Sequence, residues 1–172
     1  MTQWFWRSSF RKVIWLAPVV WAIHELEEIA FDVIAFEKAH FLQLPPRALR
    51  PPLPFNPLLI VMINGFVWTA LTAWPKNPRV AARVTLPFFV YFSFANALQH
   101  LYWLWYFQTY EPGVVTAVLL VAPTVVGLTA KAVRERLIPW WYVAVLYATA
   151  LPTMVVTYRA GNIVPVLPWP VN

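Results

Sequence analysis

A chain of 172 residues that is 60% hydrophobic and only 12% charged carries about half the charge usual for a soluble domain, and reads as an integral membrane protein. Its net charge of +6 falls in small groups between apolar segments instead of along one face, which argues against nucleic acid as a partner. The absence of cysteine excludes disulfides, thiolate ligands and a Cys nucleophile, so a metal must be held by His and carboxylate.

Apolar segments between proline-rich breaks predict an all-α, multi-pass transmembrane bundle of about five helices, forming one membrane domain over residues 1–172. The expected spans are Val13–Phe36, Pro57–Trp74, Arg83–Phe107, Gly113–Val133 and Pro139–Tyr158, each near the ~20 residues that cross a ~30 Å hydrocarbon core. The apolar run after Arg7, Arg11 and Lys12 continues without a small-residue cleavage site, so the first span is expected to stay in the mature protein. The proline-spaced stretches Glu37–Asn56 and Gly161–Asn172 are expected to be extended and stiff.

The first span carries His24-Glu25-Leu26-Glu27-Glu28, with Asp32 one turn later and no Lys or Arg between Lys12 and Lys38. One charge at bilayer depth costs roughly 2.5–3.5 kcal/mol on insertion scales. A cluster of this kind persists where the carboxylates are protonated, face a wet cavity or coordinate a cation, and each marks a working site. At ~1.5 Å per helical residue, Asn64 of the second span and Asn96 and His100 of the third reach the same layer, in the outer half of the membrane. Ser93, Asn96, His100 and Trp103 form a polar stripe expected to face the bundle interior.

His24 and Glu28 stand at i, i+4 and can reach one ion from one helix face. The spacing is similar to the inverted zincin motif H-x-x-E-H, with Glu28 in place of the second His and His100 completing two histidines and one carboxylate. The expected cofactor is a divalent metal, zinc first. Glu27 is the expected base; Glu25 also fits an H-E-x-x-E reading but lies ~100° from His24. Asn64, Asn96, Asp32 and Glu25 are placed as supporting residues. Tyr110, in the turn Tyr110-Glu111-Pro112-Gly113, is expected to donate to a developing oxyanion at a helix N-terminus.

His24-Glu25-Leu26-Glu27-Glu28, then His100, then Tyr110-Glu111-Pro112-Gly113 resembles, from about Ala22 to Gly113, a family of integral membrane proteins named for an HXXEE motif, which also show a further histidine and a Y-x-P-G motif. The resemblance implies a shared site at His24, Glu27, Glu28, His100 and Tyr110 and names no substrate.

These observations point to a membrane enzyme, metal-dependent and hydrolase-like, acting on a lipidic or apolar small molecule that enters from the membrane lipid. A metal-free isomerase or cyclase of a sterol or isoprenoid type is the alternative, since aromatic residues crowd the helix of His100 and suit a carbocation. In outline only, a five-helix bundle with His and Glu at i, i+4 looks like the emopamil-binding sterol isomerases. A proton-coupled carrier is the third reading; so small a bundle would require a homo-oligomer for alternating access.

Nine basic residues (Arg7, Arg11, Lys12, Lys76, Arg79, Arg83, Lys131, Arg134, Arg136) fall on one side of the expected spans and four (Lys38, Arg47, Arg50, Arg159) on the other. The N-terminus is therefore expected in the cytoplasm and the C-terminus outside the cell membrane. A cysteine at Asn172 should react with an impermeant thiol reagent in intact cells, and one at Lys76 only after permeabilisation. The opposite pattern reverses the topology.

Overall fold

The computed structural model describes residues 3–40, 57–73 and 77–160, and these residues are all-helical with no strand among them. Short helices α1 (Gln3–Arg7) and α2 (Phe10–Val13) lead into α3 (Leu16–Ala30) and α4 (Val33–His40). They are followed by α5 (Pro57–Ala73), α6 (Pro78–Phe107), α7 (Val114–Arg134) and α8 (Trp140–Ala160). At 30 and 21 residues, α6 and α7 are long and apolar enough to cross a membrane.

The first expected span is not one helix. Pro18 has no N–H for the Ile14 carbonyl, which the Ala17 N–H takes in a tighter turn at 3.1 Å, separating α2 from α3. At the other end Asp32 adopts a left-handed conformation (φ 53°) and its carboxylate accepts the Ala35 N–H at 3.0 Å, starting α4. Glu37 to His40, expected to be extended, are the last residues of α4. The remainder of that proline-spaced stretch, 41–56, and the tail Gly161–Asn172 lie outside the described residues. The third span begins earlier than expected because Asn77 caps α6 through the Arg79 N–H, with Pro78 at the first helical position.

Both long helices contain a π turn, Val90–Phe94 in α6 and Ala117–Val121 in α7, and each lies within a turn of a proline, Pro87 or Pro123. Pro87 also orphans the Arg83 carbonyl four residues earlier. The Tyr142 hydroxyl donates to it at 2.9 Å, which ties α8 to α6.

The polar side chains of the long helices turn inward, into a largely apolar core, while large apolar side chains face outward. On α3 the exposed face carries Val19, Ile23 and Leu26 while His24, Glu25 and Glu28 are buried. On α7 Val115, Val118, Leu119 and Val126 are exposed while Thr129 and Lys131 are buried. A helix in water shows the inverse arrangement; a lipid-facing one shows this. The core joins Val13, Ile14, Ala17 and Trp21 to Leu86, Phe89 and Val90 of α6 and to Ala117, Val121, Val125 and Leu128 of α7. Lys131 donates to the Trp6 carbonyl at 3.1 Å and pairs with Glu135 at 2.7 Å, holding α1 against the end of α7.

If Tyr142 compensates for Pro87, Tyr142→Phe should cost about 1 kcal/mol in the native background. It should cost close to nothing with Pro87→Ala, which restores the helical N–H. Equal losses in both backgrounds, in unfolding titrations of the detergent-solubilised protein, would disprove the compensation.

Candidate metal centre

On α3, residues four apart share a face, so His24 and Glu28 project together into the bundle at 2% and 1% exposure. His100 of α6, at 0% exposure, meets them from across the interface. The two imidazole rings stand edge to face with centroids 4.7 Å apart. Glu28 Oε1 lies 3.2 Å from His100 Nε2 and 3.7 Å from His24 Nε2. One ligand atom from each of the three lies within 4.8 Å of the others, so this buried group can hold a metal ion. Tetrahedral zinc sets its ligand atoms roughly 3.4 Å apart, which requires only a small contraction.

The other nitrogen of each ring is already engaged. His24 Nδ1 lies 3.1 Å from the Gly113 carbonyl and 3.0 Å from Thr116 Oγ1 and its N–H donates there, while Nε2 faces Asn96 Oδ1 at 2.8 Å, a contact that a metal ion on Nε2 would displace along with its proton. His100 Nδ1 is held by a short hydrogen bond to Glu111 Oε2. His100 Nε2 has Glu28 Oε1 3.2 Å away as its ion-pair partner, without the alignment of a hydrogen bond, and an ion between the two would take both atoms. A carboxylate behind a ligating histidine fixes its tautomer and raises its basicity.

The turn between α6 and α7 delivers these groups. Gly113 has φ 101°, a conformation L side chains rarely adopt. A Cβ there would stand 2.7 Å from His100 Cε1, 2.8 Å from His24 Cε1 and 3.1 Å from Glu28 Cγ. The glycine therefore serves both the turn and the close approach of backbone to the two rings.

Glu27 and Tyr110 stand elsewhere than expected. The Glu27 carboxylate accepts the Thr116 N–H at 2.8 Å, the Val115 N–H at 3.3 Å and the Tyr110 hydroxyl at 2.8 Å. It caps the start of α7 from across the interface, where a helix N-terminus favours an anion, and is not one of the three clustered ligands. Partial burial and then the neighbouring Glu27 push the Tyr110 phenol up to about 12, so it stays a proton donor at physiological pH, committed to Glu27. In the structure this pair anchors the start of α7, its polar atoms engaged with one another and with the helix end.

Asn96 joins the cluster, its Oδ1 2.8 Å from His24 Nε2. Asn64 does not; it lines an aromatic cavity of about 360 Å³ with Trp21, Trp68, Phe88 and Phe92, so α5 is not the third contributor to the site. The start of α7 is. Asp32 is exposed and caps α4. Glu25 is buried and accepts the Trp21 indole N–H at 2.6 Å, toward the aromatic cavity.

Sequence reasoning missed Glu111, which is fully buried. Burial pushes its carboxyl up to about 7, against the pull of His100 beside it. The available signal was that Glu111 is the one acid between Glu37 and Glu135, set between two apolar segments.

A family model described as a protein of unknown function with HXXEE motif matches residues 15–128, a stretch that includes every residue of the cluster. No curated protein and no solved structure matches the chain.

Gly113→Ala should destabilise the protein by at least about 2 kcal/mol, from the left-handed backbone plus overpacking against both rings. A substitution without effect on thermal unfolding would show that the turn is not packed against the histidines.

Proposed function

We propose that this chain, which belongs to the HXXEE-motif family, is a membrane-embedded, zinc-dependent enzyme of the hydrolase type acting on a lipidic or apolar substrate. The observation that carries the reading is the pair of buried imidazoles whose Nδ1 atoms are held by Gly113 and Glu111 and whose Nε2 atoms both face Glu28 Oε1, with Asn96 Oδ1 as the one further neighbour of the His24 nitrogen. Two nitrogens and one carboxylate oxygen form a zinc donor set with a position left for water or substrate. An ion bound there would supply Lewis acidity and lower the pKa of a water to about 7.

The chain's own residues do the remaining work. His24, Glu28 and His100 bind; Glu111 and the Gly113 carbonyl orient the rings; Glu27 and Tyr110 hold α7 so that the turn stays in place. Asn96, whose Oδ1 engages His24 Nε2, would be released by an ion on that nitrogen to orient a substrate oxygen or a water. The aromatic cavity supports lateral entry, because Val67, Leu71 and Phe92 on its rim are exposed on the apolar surface and Trp21 stands on α3 one turn before His24 and Glu25. In this reading the site lies in the outer half of the cell membrane, with the N-terminus in the cytoplasm.

A second reading is favoured by the walls of that cavity. Phe88 stacks on both Trp21 and Trp68, with centroids 5.8 and 5.4 Å apart, and such faces stabilise a carbocation. A metal-free isomerase or cyclase would then use His24 and Glu28 to give and take a proton.

Metal analysis of the purified protein should find about one zinc per chain, lost in His24→Ala, Glu28→Ala and His100→Ala and retained in Glu27→Gln. Glu111→Gln should weaken metal affinity by about 10- to 100-fold. A wild-type protein that takes up no divalent ion would reject the zinc enzyme and leave the acid–base isomerase.

A further inference from the structure

The basic residues near one end of the bundle do not all serve as diffuse topology charges. At the end of α7, Lys131 is turned to Trp6 and Glu135, and the Arg134 guanidinium lies 5.3 Å from the Trp6 ring centroid. Arg136 goes elsewhere. It lines a cavity of about 400 Å³ together with Arg79 and Arg83, which stand four residues apart on α6, and with Pro139 and Trp140. No Asp or Glu lines this cavity, and no ion pair among the described residues engages its three arginines.

Arg136 is also conformationally unusual. α7 ends with the Leu137 N–H on the Ala132 carbonyl at 2.9 Å, and the intervening Arg136 has φ 55°. Glycine is the usual residue at such a helix-ending position. Here a left-handed backbone carries a long cationic side chain into a cavity with two others. A non-glycine residue keeps such a backbone where its surroundings over-determine it, and ligand clamps are among those places.

The position of the pocket selects its ligand. Arg79 and Arg83 lie in the first two turns of α6 and Arg136 just beyond α7, the two helices that are long and apolar enough to cross a membrane. The pocket is therefore at the level of lipid headgroups, and Trp140 on its wall is 71% exposed, as an interfacial anchor would be. We infer that Arg79, Arg83 and Arg136 form a binding site for the phosphate of an anionic phospholipid headgroup, separate from the His/Glu cluster. Guanidinium forks match phosphate oxygens in geometry as well as charge.

Native mass spectrometry of the full chain in neutral detergent, titrated with phosphatidylglycerol and with phosphatidylcholine, tests this. Phosphatidylglycerol should bind at least about tenfold more tightly, and each arginine removed should weaken it about fivefold, as expected for ~1 kcal/mol per basic residue. Arg79→Gln with Arg83→Gln should bring it near the phosphatidylcholine level. Arg136→Gly is the decisive variant, because glycine suits the backbone: it should lose lipid affinity while its unfolding temperature in neutral detergent stays the same or rises. Arg7→Gln, on the same expected side of the membrane but outside the pocket, should bind like wild type. Wild-type affinity in the pocket variants, or an equal loss in Arg7→Gln, would reduce the arginines to topology charges. Displacement of phosphatidylglycerol by millimolar inorganic phosphate would overturn the lipid assignment in favour of a free anion.

Discussion

Two imidazoles and a carboxylate buried together in an apolar bundle impose the constraint from which much of the structure follows. None of these groups reaches water, so each polar atom must be satisfied by protein or by an ion. His24 and His100 are satisfied on one side by the turn between α6 and α7, through the Gly113 carbonyl and Glu111. That dependence explains why the turn runs through a left-handed glycine lying against both rings. It also explains why α7 starts under a carboxylate from α3, since any shift of α7 would withdraw the groups that orient His24.

The same scarcity of hydrogen-bonding partners governs the backbone. Pro18, Pro87 and Pro123 each withhold an N–H in surroundings where water cannot replace it. The chain responds with local remedies: a tightened turn before α3, a tyrosine hydroxyl on the Arg83 carbonyl, and π turns in α6 and α7. The π turns lie where these helices pack against each other, and the one in α7 also meets α3, the helix of His24. A register change in α6 between Val90 and Phe94 sets the angle at which Asn96 and His100 leave the helix.

Charge is partitioned along the bundle. Acidic and imidazole groups collect around the α6–α7 turn, while three guanidiniums with no ion pair among the described residues line a cavity at the opposite end of these two helices, where α6 begins and α7 ends. Opposite signs at opposite ends of the same two helices keep the buried carboxylates away from arginines that would otherwise pair with them. Glu28 and Glu111 remain with histidine partners instead.

The sequence by itself determined the helical class and the inward face of α3 that carries His24 and Glu28, because each follows from periodicity within one helix and from the cost of polar groups in an apolar segment, and it offered His100 as their candidate partner from its depth along the next outward-running span. Family membership was likewise legible in motifs that need no coordinates. Only the tertiary structure decided which faces meet. It placed the α7 start, not Asn64, against the histidines, joined Glu27 to Tyr110 and the α7 amides, turned Asp32 into a cap, and brought Glu111 behind His100. The reason is physical: helical periodicity fixes angle and height along a single axis, whereas these pairings depend on left-handed residues at Asp32 and Gly113 and on π turns. Those features redirect the chain without changing its composition.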